Sequence, residues 1–240
     1  VLDALFFGAH PDDLELTSGG LAALLAARGF AVGLVDLTRG EAASRGTVEE
    51  RARESEEAAR RLGVRLRECL ALPDLGLDRH EPTQVRAVVA ALRRHRPGLV
   101  VAPWREDAHP DHAEAHHLVR RAAYVSGLAR FDAPGERHRP MRMLFALYRG
   151  TDAPHLVVDV SAVWERRMAA LHAHRSQLDP AAGPQTYLTH PDFLAEVEGR
   201  ARALGATIGA RYGEGYRTFG PLGITDVRAL IAQPPEGRTP

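Results

Sequence analysis

Residues 2–16, "LDALFFGAHPDDLEL", carry an apolar stretch directly into His10, Pro11, Asp12 and Asp13. A strand-like run followed at once by a small-residue helix pattern is the opening unit of a βαβ fold. Two adjacent carboxylates repel each other and are costly to shield from water, so a purely structural turn seldom sets them beside an imidazole. The crowding points to a positive group at the end of the strand.

Outward from this junction, apolar runs alternate with helical patterns. Strands are expected at 2–9, 31–38, 64–72 and 98–103, with helices near 17–28, 47–62, 82–95 and 112–127 between and after them. That alternation predicts an α/β fold, a Rossmann-like three-layer sandwich with a mostly parallel sheet and right-handed crossovers. Further strands are expected at 141–148 and 155–160. Helices follow at 161–174, capped by Ser161, and at about 192–205. The stretch 178–191, "LDPAAGPQTYLTHP", is too rich in Pro, Gly and Thr for regular structure and reads as a lid or binding segment, with Tyr187 and Phe193 in or beside it. No repeat or linker interrupts the pattern, so residues 1–240 are expected to form one domain.

Composition excludes several classes of partner. Acidic and basic residues balance at 31 each, and every basic residue is Arg. No global field exists to draw in nucleic acid or an anionic membrane. No apolar run approaches the roughly 18 residues of a membrane span, and no basic-then-apolar signal layout is present, so the chain is read as cytoplasmic. Cys69 is alone, which agrees with a reducing compartment and places it most simply in the core.

The chemistry lies in two short motifs. "HPDD" (10–13) follows the first strand and "HPDH" (109–112) follows the fourth. In open parallel sheets, ligands bind beyond the carboxyl ends of strands, so the two motifs are expected to share one crevice. Their candidate ligands are His10, Asp12, Asp13, His109, Asp111 and His112, a nitrogen and oxygen mixture suited to zinc or another borderline divalent ion. Six groups exceed one tetrahedral ion. A carboxylate beside a ligating one could act as general base, and a spare imidazole could stabilise an oxyanion or protonate a leaving amine. His116 and His117 are expected off the site, and His172 and His174 on a solvated helix surface. A nicotinamide site is not expected, since no G-x-G-x-x-G is present and HPDD occupies the turn where a dinucleotide phosphate would lie.

Both motifs, together with "GTVEER" (46–51) and "EAARRLG" (57–63), resemble the zinc-dependent deacetylases of the LmbE and PIG-L type. "LALPDLGL" (70–77), "SQL" (176–178) and "IGARYGEGY" (208–216) resemble the branch that serves bacillithiol synthesis. The resemblance implies that His10, Asp13 and His112 hold one Zn2+, with Fe2+ or Co2+ as alternatives. It assigns Asp12 as general base and His109 as oxyanion stabiliser and alternative proton donor, oriented by Asp111. It also matches Arg51 to a substrate-contacting arginine, although "EERARESEEAARR" (49–61) by itself reads as a solvated mixed-charge helix. The implied substrate is an N-acetylglucosamine conjugate, such as N-acetylglucosaminyl-malate, an inositol conjugate or the free sugar. A homo-oligomer, up to a hexamer, is implied as well. Two other classes fit parts of the pattern: a metal-dependent phosphate-ester hydrolase and a non-catalytic, metal-containing sugar-binding protein.

Overall fold

The computed structural model describes residues 1–149 and 152–223. The expectation of a single domain extends over 224–240, outside the described residues. Along the chain run β1 (Ala4–Gly8), α1 (Asp13–Thr17), α2 (Gly19–Ala27), β2 (Val32–Thr38), α3 (Val48–Leu62), β3 (Leu66–Leu72), α4 (Pro82–His95), β4 (Leu99–Pro103) and α5 (Pro110–Val125). They are followed by β5 (Arg142–Ala146), β6 (Leu156–Asp159), α6 (Trp164–Leu171), α7 (Arg175–Leu178), α8 (Phe193–Ala206) and β7 (Gly213–Arg217). Among the described residues, no helix is long and apolar enough to cross a membrane.

The strands form one seven-stranded sheet in the order β3-β2-β1-β4-β5-β7-β6. The first five are parallel, and β7 pairs antiparallel with both β5 and β6. Side chains alternate between the two faces as strand geometry requires. Ala4 and Phe6 enter a core with α1, α2, α6 and α8, whereas Leu5 and Phe7 enter a second core with α4 and α5. The three-layer α/β expectation is therefore met. Strand order reverses between β1 and β4, which are hydrogen-bonded neighbours. HPDD and HPDH leave the carboxyl ends of these two strands, so the sheet brings them together at its reversal point.

Several local expectations need correction. The first helical region starts at Asp13 and breaks at Ser18 before resuming. The region after 160 opens as a 3-10 turn at Ser161–Val163, and no side-chain cap bond starts it. Ser161 instead uses its hydroxyl to accept the Tyr212 N–H. Strand β7 was hidden by Gly213 and Gly215, which weaken any strand signal. A Cβ at Gly213 would come within 2.6 Å of Val157 and 2.8 Å of the Gly205 backbone, so packing dictates glycine there. Cys69 is exposed on the edge strand β3, its thiol donating to the Thr38 carbonyl. His174 is buried rather than solvated, with Nε2 3.2 Å from Glu15 in a charged cluster that also holds Arg67 and Asp36. The "GEGY" of β7 is architectural. Glu214 accepts the Gly20 and Leu21 N–H groups at the start of α2 and lies 3.2 Å from Arg167.

His116 lies off the site as expected, buried against Trp104 and Phe145 with Nδ1 donating to the Pro103 carbonyl. Burial pushes its pKa down from 6.5 to about 4. The folded chain therefore binds fewer protons than the unfolded chain within that window. His116 costs nothing above pH 6.5 and withdraws stability as pH falls towards 4, by roughly 3 kcal/mol. A His116→Asn chain keeps a donor near Nδ1 and does not titrate. Its denaturant-derived stability is expected to lose less than wild type between pH 6.5 and 4.5; equal losses would refute this account.

Candidate metal centre

His10 and Pro11 follow β1 after the single residue Ala9, and Asp13 is the first residue of α1. Asp12, between them, has φ 104°, a left-handed conformation that costs an ordinary residue on the order of 1–3 kcal/mol. Its carboxylate makes no capping bond to the helix it precedes. The opposite wall is the start of α5, with His109 as N-cap and Pro110 at the first turn, where its missing N–H is harmless. His112 lies one turn into that helix and faces back across the crevice.

Asp13 joins the two walls. Its Oδ2 lies 3.4 Å from His10 Nδ1 and its Oδ1 lies 3.2 Å from His112 Nε2. Donor atoms bound at about 2.0–2.1 Å around a tetrahedral zinc lie roughly 3.3 Å from one another. Both imidazoles then reserve their second nitrogen for a carboxylate: His10 Nε2 is 3.0 Å from Asp74, and His112 Nδ1 is 3.1 Å from Asp107. A carboxylate behind each imidazole is the usual support of a metal-binding histidine, fixing its tautomer and ring orientation. Among the described residues, the groups that place one donor from each residue within 4.8 Å of one another are His10–His109–His112 and His10–Asp74–Asp111, whereas Asp13 meets the two imidazoles through different oxygens. With Asp13 between Nδ1 of His10 and Nε2 of His112, each imidazole keeps a carboxylate behind it. These residues fit a divalent cation.

Electrostatics agree. Burial disfavours a charged His10, yet Asp111, Asp13 and Asp74 outweigh it and raise its pKa to about 12. His112 is raised to about 10 against the same burial cost, by Asp13 and Asp107. The crevice thus attracts positive charge. The neighbouring carboxylates diverge: burial pushes Asp12 up to about 6 with Arg51 opposing, whereas His112 and His10 hold Asp13 well below the usual carboxylate range despite burial.

His109 is half-buried beside both imidazoles. Its Nδ1 accepts the Asp111 N–H at 3.3 Å, so the neutral ring carries its proton on Nε2. Burial and the neighbouring His10 and His112 lower its pKa, which favours that neutral donor. The Asp111 carboxylate does not orient His109. It accepts the Leu75 N–H at 2.7 Å and lies 3.4 Å from His10, because the helix start turns its backbone, not its side chain, towards His109. Arg51 is buried in the pocket lining and donates to the Gly40 and Pro11 carbonyls.

The site includes residues the sequence reading passed over. Asp74 belongs to the "LPDL" loop after β3, and Asp107 also accepts the His109 N–H. The surrounding pocket, about 390 Å³, is completed by Tyr148, Arg149, Gln177, Tyr187 and Leu188 from the C-terminal half. Buried Arg45 fastens the irregular stretch there by donating to the carbonyls of Ser176, Asp179 and Pro184. A larger cavity of about 870 Å³ lies along the C-terminal half of α5, but among the described residues no carboxylate lines it.

A profile of the PIG-L family, described as GlcNAc-PI de-N-acetylase, matches residues 5–123 and spans both motifs. The chain is 31% identical to the 1D-myo-inositol 2-acetamido-2-deoxy-alpha-D-glucopyranoside deacetylase of Mycobacterium sp. (strain KMS), over 81% of this chain and 80% of that one. It is 28% identical to the diacetylchitobiose deacetylase of Thermococcus kodakarensis, over 87% of this chain and 79% of the relative. The crystal structure of the conserved protein TT1542 from Thermus thermophilus superposes with a TM-score of 0.86 at 37% identity, covering 94% of this chain and 98% of that one. Fold and site define a hydrolase of the N-acetyl amide class. The chain belongs to the PIG-L/LmbE family.

If Asp74 and Asp107 support the two imidazoles, Asp74→Asn and Asp107→Asn should each weaken zinc binding by about 10- to 100-fold while leaving one site per chain. Competition with a chromogenic chelator measures this. Unaltered affinity in both variants would show that the carboxylates have no part in metal binding.

Proposed function

We propose that the protein is a divalent-metal-dependent deacetylase of an N-acetylglucosamine conjugate. His10, Asp13 and His112 would hold the cation, zinc by the character of its donors, with iron or cobalt as alternatives. The observation that carries the reading is Asp12: a buried carboxylate beside the donor set that neither caps its helix nor belongs to the bridging pair. When bound, the cation supplies Lewis-acid activation of water and of the amide carbonyl. Asp12 takes the proton from the water that attacks the acetyl carbon. His109, protonated on Nε2, donates a hydrogen bond to the oxygen as it gains charge. The C–N bond breaks, the proton passes to the departing nitrogen, and acetate and a free amine leave.

Substrate breadth follows from the pocket. Its volume suits a sugar with a small aglycone. N-acetylglucosaminyl-malate is the favoured conjugate because exposed Arg149 lies 3.7 Å over the Tyr187 ring without a carboxylate partner among the described residues, available for an anionic group. An inositol conjugate or the free sugar would use the same chemistry and leave Arg149 idle. A reducing cytoplasm agrees with the single Cys69. A homo-oligomer, up to a hexamer, is part of the proposal and is read by light scattering.

Two expectations test the proposal. Zinc-loaded protein should release acetate from N-acetylglucosaminyl-malate, stop when chelated, and lose about 10²- to 10⁴-fold in kcat on Asp12→Asn with its metal retained. Release of phosphate from sugar phosphates instead would favour an ester hydrolase, and bound metal without turnover a sugar-binding role. Arg149→Ala should raise KM for the malate conjugate roughly tenfold while leaving N-acetylglucosamine unaffected. Equal changes for both substrates would remove the malate assignment.

A further inference from the structure

We propose that Gln177 is a specificity-determining residue: its side-chain oxygen accepts a hydrogen bond from a hydroxyl of the sugar. The inference rests on the reading of the protein as a deacetylase of an N-acetylglucosamine conjugate. Gln177 belongs to α7, at the head of the turn-rich stretch, and lines the pocket around the metal centre although only 6% of it is exposed. It lies on neither of the two turns that carry the candidate cation donors, which places it for the body of the sugar rather than for the acetamido group.

Which end of the amide faces the pocket follows from its partners. Nε2 lies 2.8 Å from the Arg45 carbonyl oxygen and 3.0 Å from Ser176 Oγ. A carbonyl oxygen only accepts, so the group beside it is the NH2, and the two ends of the amide are told apart. Both hydrogens of that NH2 then have a partner. Oε1 receives no hydrogen bond among the described residues, and it is not one of their solvent-sealed polar atoms. A fixed acceptor open to a pocket is the kind of polar group that orients a ligand. The malate carboxylates would repel it, since they too only accept, so the donor it meets is a sugar hydroxyl.

The seat beneath the amide is firm. Arg45, 3% exposed, supplies the orienting carbonyl and donates through its guanidinium to the carbonyls of Ser176, Asp179 and Pro184. Glu54 of α3 accepts both the Ser176 N–H and its hydroxyl, each at 2.6 Å, which leaves the Ser176 oxygen free to accept from Nε2. Gly46 gives the room: its φ is +70°, and a Cβ there would fall 2.6 Å from Ser176 Oγ and 3.3 Å from Gln177 Nε2. A binding group whose own rotamer is held by such support discriminates between ligands more sharply than a mobile one.

Analogues of N-acetylglucosamine lacking the 3-, 4- or 6-hydroxyl test this on full-length, zinc-loaded protein. For one of them, wild type should show kcat/KM about tenfold or more below that of the parent sugar, because Oε1 is left without its donor. Gln177→Met, similar in length but with no hydrogen-bonding amide, should bring that ratio to within about twofold and leave the ratios of the other two analogues at their wild-type values. The variant should keep one zinc per chain. Its loss on the parent sugar should appear as a KM raised about tenfold, with kcat within about threefold. Gln177→Asn, which withdraws the amide by one methylene, should give the same pattern. A residue that merely packs the turn-rich stretch would weaken every substrate equally and leave all the ratios where they were.

Ratios unaltered by both variants, or a wild type that treats every analogue like the parent sugar, would overturn the assignment. Should wild type release acetate from none of these amides, the deacetylase proposal fails. The same ratios, taken from calorimetric binding of the sugars, then decide the role of Gln177, and sugars that do not bind overturn it. If Gln177→Met does not fold, Gln177→Asn carries the comparison.

Discussion

Five carboxylates converge on two imidazoles in a crevice largely shielded from water: Asp12, Asp13, Asp74, Asp107 and Asp111 around His10 and His112. Gathering that much negative charge in a poorly solvated place is costly unless positive charge compensates it. The imidazoles and Arg51 provide part of the compensation, and a divalent cation between Asp13 and the two histidines would provide more. Adjacency of β1 and β4 makes the gathering possible, since it sets both His-rich turns at the same end of the sheet where strand order reverses.

Within that cluster, neighbouring residues of one type are driven to different behaviour. Asp13, at the start of α1, is pinned between imidazoles and stays ionised, whereas Asp12 is turned away by its left-handed backbone and kept near the pKa of a working base. Pairs of like groups with diverging environments are how a single fold divides acid and base duties.

The C-terminal third contributes architecture more than chemistry. Glu214 on β7 ties the antiparallel edge of the sheet to the start of α2, and Gly20 permits the approach, since a Cβ there would meet Glu214 at 2.6 Å. Arg45 and Glu54 fasten the turn-rich stretch through Ser176, so that Tyr187 and Leu188 form pocket wall. An irregular segment can shape a binding site when buried arginine donors meet its unpaired carbonyls.

The parallel strands, the helices between them and the two His-rich turns were readable from local pattern alone, because apolar periodicity and turn residues are properties of neighbours in the chain. Strand β7 was not, since its glycines answer to packing against other elements, Leu204 and Gly205 of α8 and Val157 of β6. The same holds for the burial of His174 and for the supporting parts of Asp74 and Asp107. Their identity as polar residues says nothing of which imidazole or charge stands behind them. Arg51 shows the boundary most clearly. Its sequence neighbourhood describes a solvated charged helix, and the resemblance describes a substrate contact. Only the folded chain, by seating α3 against the Pro11 and Gly40 carbonyls, buries that arginine in the wall of the pocket.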